Sequence, residues 1–163
     1  MSNSLNFVFE HSLVRAMVPP AQSAIAQMQR WLTPLFDLAL RLYVANVFFS
    51  SGWQKLSDWE STVALFQYEY HVPLLPPALA AAMGAAGELS LPILLVVGLF
   101  ARFGAAGLFV VNIAAVISYP DISDAGIQDH LLWGMMLLVT LLHGPGRWSL
   151  DHWLKQRWQG GAA

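Results

Sequence analysis

Three ionisable side chains lie in otherwise apolar stretches, where their types would allow proton transfer or hydrogen bonding in a membrane interior. Arg41 and Lys55 lie near the two ends of the segment RLYVANVFFSSGWQKL, and Glu88 lies inside a second apolar segment. A charge near the centre of a bilayer costs at least about 2.5 kcal/mol, so such residues usually face the interior of a helix bundle. The sequence therefore predicts a polar centre between packed helices.

Arg41 and Glu88 are the predicted partners in this centre. Counted from the outer membrane boundary, where the first segment ends and the second begins, the helical rise puts Glu88 about 15 Å deep and Arg41 about 20 Å deep, within reach of long side chains. Asp37, one turn before Arg41, is a competing partner. We interpret the pair either as catalytic or as a structural clamp that fixes helix register. Lys55 is expected to extend its ammonium group to the membrane boundary.

Further polar and aromatic side chains could hold a ligand between the helices. Asn112 lies in the third apolar segment, and His130 and Trp133 lie at the start of the fourth. A quinone or similar amphiphile could accept hydrogen bonds from Arg41, Lys55 or His130, with Trp53 or Trp133 beside its ring. The alternative interpretation is that Asn112 joins two helices and His130 caps one. The histidine and methionine spacing favours no metal site.

The composition indicates a protein that is embedded in a lipid bilayer. Hydrophobic residues make up 56% of the chain and charged residues 11%, whereas soluble domains carry about 25% charged residues. The net charge of −2 offers no basic surface for nucleic acid. The absence of cysteine excludes cysteine-ligated iron–sulfur clusters and thiolate chemistry. The first 30 residues do not match a secretory signal, so the apolar segments are expected to remain in the mature protein.

Four segments are apolar and long enough to cross a bilayer, which predicts an all-α, polytopic four-helix membrane bundle. They are residues 34–56, 77–100, 103–119 and 127–144. Basic residues before the first span, between the second and third, and after the fourth place both termini in the cytoplasm. The predicted organisation is an N-terminal cytoplasmic or interfacial leg over 1–33, a transmembrane domain over 34–146 and a short basic cytoplasmic tail over 147–163.

Two further segments have the pattern of amphipathic surface helices. Residues 57–60 read S-x-x-E, a capping box, and Trp59, Phe66 and Tyr70 then share one helical face. We expect a short helix on the outer membrane surface there. Residues 21–32 are expected either to lie on the inner surface or to form an ordinary loop helix.

Several of these segments together resemble the DoxX family. The resemblance is carried by RLYVANVFFSSGWQKL at 41–56, ELSLPILLVVGLFAR at 88–102, HVP at 71–73 and GPGRWSLD at 144–151, and it covers roughly 35–152. It implies a four-helix integral protein of a bacterial-type plasma (inner) membrane. It also implies an association with redox chemistry, because some members are subunits of quinone-linked oxidoreductases, and it makes Arg41, Lys55 and Glu88 the family-matching polar residues.

Three functions compete at this point. The first is a membrane subunit that binds a quinone or similar amphiphile and relies on a protein partner carrying the redox centre, with Glu88 and Arg41 as catalytic residues. The second is a noncatalytic scaffold, oligomeric or docked to a partner, that presents Trp59, Phe66 and Tyr70 while its buried charges are structural. The third is a small transporter or proton path through the same polar interior.

Overall fold

The computed structural model describes residues 2–160, with side chains described for residues 22–159, and this part of the chain contains helices and no strand. The helices are α1 (Ser2–Ser57), α2 (Trp59–Tyr68), α3 (Pro77–Val97), α4 (Ala101–Ser118), α5 (Asp124–His143) and α6 (Leu150–Gly160). Four of their segments are long and apolar enough to cross a membrane, namely Gln22–Ser57, α3, α4 and α5. The predicted all-α architecture with four spans is confirmed.

Contacts divide the chain into one unit that ends at Phe36 and another that begins at Asp37. In the first unit, the residues after position 21 belong to α1, which continues through Pro34. The prediction of a separate helix over 21–32 is therefore wrong, because Pro34 does not interrupt α1. Ile25, Met28 and Trp31 are each more than half exposed there.

The second unit places α3, α4 and α5 side by side in chain order. Contacts join α3 to α4 and α4 to α5. The link between α3 and α4 is short, and Gly98 and Phe100 both turn the chain with positive φ angles of 70° and 48°. Short links of this kind make consecutive helices antiparallel neighbours. Their common core includes Leu95, Leu108 and Leu137, all fully buried.

Helix α1 ends partway along α3. A Cβ atom added at Gly52 would meet Glu88 Cβ at 2.9 Å, so these two positions lie at the same level of the bundle. From Gly52 the helix continues to Ser57, about 7 Å further, whereas α3 extends about 16 Å from Glu88 back to Pro77. The remaining part of α3 must be covered by another element.

Helix α2 covers that part of α3. The ring of Phe66 is buried and packs with Ala80 and Ala81, and its Cζ atom would lie 3.7 Å from a Cβ added at Gly84. The predicted surface helix does form, but Phe66 faces α3 and is not presented outward. Because α1 ends early, α2 forms part of the bundle wall.

The cap of α2 differs from the predicted capping box. Ser57 still belongs to α1, and its hydroxyl donates to the Trp53 carbonyl at 2.8 Å. Asp58 is the N-cap instead, with φ −132°, and its Oδ1 accepts from the Ser61 amide at 3.1 Å. A serine inside a helix commonly bonds the carbonyl one turn back, which leaves the next residue to cap.

The opposite end of the bundle, called here the Arg41 end, is closed by the chain after α5. Asp151 accepts from the Phe100 amide at 2.9 Å and from the Ala101 amide at 3.0 Å, which caps the first turn of α4. Its own amide donates to the Gly98 carbonyl at 2.9 Å. The predicted basic tail thus contains a helix, α6, whose first turn is bonded to the link between α3 and α4.

Candidate functional site

Lys55 and Glu88 form an ion pair between α1 and α3. Lys55 Nζ lies 2.6 Å from Glu88 Oε2, and the two side chains are 19% and 8% exposed. The ammonium group also donates to Ser51 Oγ at 2.8 Å. Since an ammonium group has three donor hydrogens, one remains for a further acceptor. It is the one ion pair in the part of the chain that the structure describes.

Gly52 is what allows the two helices to bring this pair together. Its missing side chain would otherwise meet Glu88 Cβ at 2.9 Å and the Glu88 carbonyl carbon at 3.1 Å. Lys55 follows three residues later, one helical turn towards α2, on the same face. The spacing glycine-x-x-lysine therefore combines a close helix contact with a cation that reaches the facing helix.

The ion pair borders a cavity of about 260 Å³ between α2, α3 and α4. Apart from Lys55, Glu88, Tyr70 and Ser118, its lining consists of apolar side chains and a glycine: Phe66, Val72, Leu75, Ala80, Met83, Gly84, Val110, Val111, Ala114 and Ala115. Two lining residues on α3 and α4, Met83 and Val110, are 55% and 65% exposed. The cavity thus opens between two helices that are candidate membrane spans.

Ser118 supplies a second polar group to the cavity. Its side chain is 2% exposed, and its hydroxyl oxygen has no hydrogen-bond partner within the described residues. Val111 lies at the level of Gly87, since a Cβ added there would be 3.4 Å from it. Ser118 follows seven residues later on α4, about 10 Å along the helix axis. The ion pair and the free hydroxyl therefore occupy different ends of an apolar space.

Tyr70 closes the cavity on the side of α2. Its ring contacts Phe66 edge-on at 4.9 Å and Tyr119 at 5.1 Å between centroids. Burial raises the pKa of Tyr70 above its ordinary value, and the nearby Tyr119 and Glu88 add to this effect. The phenol is consequently held in its neutral form and can donate or accept a hydrogen bond.

Arg41 is not the partner of Glu88, and this prediction was wrong. The guanidinium donates to the Leu95 carbonyl at 2.7 Å, to the Val96 carbonyl at 3.5 Å and to the Trp148 carbonyl at 2.5 Å. Leu95 and Val96 are in the last turn of α3, where carbonyl groups lack an intrahelical partner. Arg41 is 1% exposed and acts as a cap for α3.

The prediction failed because it assumed that the end of α1 and the start of α3 lie at one common level, the outer membrane boundary. Gly52 is level with Glu88, and Arg41 lies eleven residues before Gly52, about 16 Å away along the axis. No side chain spans that distance. The same staggering brings Lys55 to Glu88, so the expectation that Lys55 extends to the membrane boundary was wrong as well.

Asn112, His130 and Trp133 form a separate cluster between α4 and α5. Asn112 Nδ2 donates to the His130 carbonyl at 2.9 Å, and its Oδ1 lies 2.8 Å from His130 Nδ1. The imidazole contacts the Trp133 ring edge-on at 4.9 Å. None of these residues lines the cavity beside Lys55, although His130 lies within electrostatic range of Lys55. The geometry fits the helix-joining interpretation of Asn112.

Trp53 is 59% exposed on α1 and does not line the cavity. The structure therefore brings Lys55 and Glu88 together and leaves the other predicted ligand residues elsewhere. Sequence reasoning missed Ser118, for which no local pattern gave a signal. It also missed Asp151, although this residue ends the GPGRWSLD segment that supported the family resemblance.

Comparison with known proteins supports the family resemblance of these sequence motifs. The DoxX family model matches residues 36–120. The chain belongs to the DoxX family. It is 29% identical over 126 residues to an uncharacterized protein of Haemophilus influenzae, covering 73% of this chain and 83% of that protein. No solved structure matches the chain.

The DoxX match includes both members of the ion pair and the cap of α3. Arg41, Lys55 and Glu88 lie inside residues 36–120, as does Ser118. Asp151 and the rest of α6 lie outside this range. The DoxX region thus contains the whole lining of the cavity, while the closure of the Arg41 end depends on residues that follow it.

Proposed function

We propose that this multi-pass DoxX membrane protein is a subunit of a redox system and binds a quinone or a similar amphiphile in the cavity beside Lys55 and Glu88. The observation that carries the proposal is a partly buried ion pair at the wall of an apolar cavity whose exposed rim is formed by Met83 and Val110. An amphiphile dissolved in the bilayer would enter between α3 and α4. The proposed location is a bacterial-type inner membrane.

The donor groups of the cavity fit a molecule with two separated oxygen atoms. The carbonyl oxygens of a para-quinone lie about 5 Å apart, and a hydrogen bond of about 2.8 Å at each end extends the span to about 11 Å. Ser118 lies about 10 Å along the axis from the level of the ion pair. The otherwise unpartnered hydroxyl of Ser118 and the remaining hydrogen of Lys55 would each face one oxygen.

Each residue then has a stated role in the proposal. A quinone supplies two-electron, two-proton redox chemistry when it is bound. Lys55 donates a hydrogen bond and orients the ring, and Glu88 fixes the ammonium group and accepts or returns a proton at Oε2. His130, within electrostatic range of Lys55, passes the proton onward in this proposal. The apolar walls keep water away from these groups.

Electrons must come from a partner protein in this proposal. The chain has no cysteine, so it cannot ligate an iron–sulfur cluster through thiolates. The described residues also contain no group of three or more metal-ligating side chains. The proposed function is therefore that of a quinone-binding subunit whose partner carries the redox centre.

Quinone binding to the full-length protein in lipid nanodiscs tests the proposal. Bound quinone is extracted and quantified, and decylubiquinone is titrated against the wild type and the Lys55→Gln/Glu88→Gln double variant. The double variant is preferred because a single substitution leaves one buried charge unpaired, which costs about 3–5 kcal/mol. We expect affinity to fall at least about tenfold, the value of a hydrogen bond to a charged group.

The exposed Trp53→Phe variant is the control and should bind as the wild type does. Melting temperatures of all variants show whether the bundle is intact. If the double variant melts like the wild type and still binds decylubiquinone with unchanged affinity, the ion pair is no ligand site. Wild-type protein that neither carries nor binds a quinone would contradict the proposed function itself.

A noncatalytic scaffold is the second candidate, and the contacts of Arg41 favour it. This buried cation bonds only carbonyl groups, so its role is to hold the end of α3. The scaffold would not present the face first expected, because Phe66 is buried. Loss of a co-purifying partner in a variant with normal quinone binding would support this function.

A further inference from the structure

Helix α6 has an apolar face that stands exposed. Leu150, Trp153, Leu154 and Trp158 recur at helical spacing, and they are 41%, 50%, 37% and 81% exposed. His152 and Gln156 lie on the opposite face, where their side chains are 2.9 Å apart. An amphipathic helix with this composition is typical of helices that lie in a membrane interface.

The first turn of α6 is fixed at the ends of two membrane spans. Asp151 bonds the first amides of α4 through its carboxylate and the Gly98 carbonyl through its own amide. Helices α3 and α4 are both candidate spans, so α6 begins where the chain leaves the bilayer. On the helix, Asp151 lies about a quarter turn from the apolar face. The apolar side chains of α6 remain exposed although the first turn of the helix is bonded to the bundle.

The charges near this face fit an anionic surface. The carboxylate of Asp151 is engaged with α4, which leaves Lys155 and Arg157 as the basic side chains of α6. The guanidinium of Arg157 lies 5.2 Å from the centroid of the Trp153 ring. Tryptophan is enriched at membrane–water interfaces, and arginine can extend from an apolar face to headgroups.

We propose that α6 binds the bilayer surface through anionic phospholipid headgroups, with Trp153, Leu154 and Trp158 inserted and Lys155 and Arg157 on the phosphates. The juxtaposition that supports this is an exposed tryptophan-rich face on a helix whose first turn is bonded to two spans. This surface is separate from the quinone cavity and does not depend on the proposed function. In this proposal α6 is a membrane anchor for the Arg41 end of the bundle.

The full-length protein in nanodiscs allows a direct test, because the chain has no cysteine and single cysteines can be labelled. An environment-sensitive fluorophore is attached in the Leu154→Cys variant and, on the polar face, in the matched Gln156→Cys variant. Doxyl-labelled lipids should quench the label at position 154, whereas aqueous iodide should quench the label at position 156. The nanodiscs contain phosphatidylcholine with or without phosphatidylglycerol.

Removing the two positive charges of α6 should lower the fraction of the helix that is bound to the membrane. Each basic residue near an anionic surface changes the ratio of bound to free helix about fivefold, so Lys155→Gln/Arg157→Gln should lower it about thirtyfold. Omitting phosphatidylglycerol should have the same effect in the unsubstituted helix. The proposal is overturned if iodide quenches both labels equally, or if neither doxyl lipid nor iodide quenches the label at position 154. It is also overturned if quenching by doxyl lipid is the same with and without phosphatidylglycerol.

Discussion

The substitution Gly52→Ala tests the close contact on which the ion pair depends. The added Cβ would meet Glu88 Cβ at 2.9 Å, Leu89 Cγ at 3.0 Å and the Glu88 carbonyl carbon at 3.1 Å. One of these atoms is backbone, so a rotamer change cannot relieve the overlap and the two helices must separate. Overpacking of this kind costs about 1–3 kcal/mol, against a helix-propensity gain of about 1 kcal/mol.

Gly84→Ala is the matched control in the facing helix. There the added Cβ meets only Phe66 Cζ at 3.7 Å, an ordinary contact. The free energy of unfolding of this variant should rise by about 0.5–1 kcal/mol, because alanine favours a helix more than glycine does. The free energies of unfolding of the two variants should therefore differ by about 2 kcal/mol, which corresponds to about 6 °C in melting temperature for a chain of this size. Thermal unfolding of the purified proteins in one detergent measures this, and equal melting temperatures would refute the close-contact reasoning.

Three further substitutions distinguish structural from ligand-binding roles. Arg41→Gln leaves buried carbonyl groups unpaired and should destabilise the protein by about 3 kcal/mol in thermal unfolding, and a wild-type melting temperature would contradict the capping role. Because burial raises the pKa of Tyr70, its contribution to stability is full below about pH 10 and is lost above it. Tyr70→Phe should remove this decline, the exposed Tyr68→Phe control should retain it, and a decline that persists in Tyr70→Phe would assign it to another group. Ser118→Ala should weaken decylubiquinone binding about fivefold, whereas Ser90→Ala, outside the cavity, should bind normally, and equal binding would remove Ser118 from the site.

The spans could be predicted from sequence because hydropathy depends only on local composition. A crossing helix needs about 20 apolar residues, and that requirement located all four spans. The predicted segment 77–100 corresponds to Pro77–Val97, and 103–119 corresponds to Ala101–Ser118. The breaks at Gly98 and Phe100 have positive φ angles, which end one helix and allow the next to begin.

The partners of the charged residues could not be predicted, because they depend on how far one helix is shifted along another. Hydropathy does not report that α1 ends partway along α3, and the shift decides whether Arg41 or Lys55 reaches Glu88. Gly52 carried a usable signal, since a glycine inside a span often marks a close helix contact. Placing Gly52 beside Glu88 would have selected the correct cation.

Asp151 and Ser118 show a second limit of sequence reasoning. Asp151 bonds amides fifty residues earlier in the chain, at the start of α4. Ser118 matters because its hydroxyl lacks a partner, which is a property of its surroundings and not of its residue type. Local patterns predict helix ends and faces, whereas these roles require the assembled bundle.

The basic residues of the DoxX motifs divide into two physical roles. Arg41 bonds carbonyl groups at the end of α3, and Arg102 donates to the Leu142 carbonyl at 3.2 Å, near the end of α5. Cations are favourable at helix C-termini, and orphan carbonyl groups have few alternatives near lipid. Lys55 differs because its partner is a carboxylate beside a cavity. A loss of activity in an Arg41 variant would consequently report damage to the fold, whereas changes at Lys55, Glu88 and Ser118 report on the site beside the cavity.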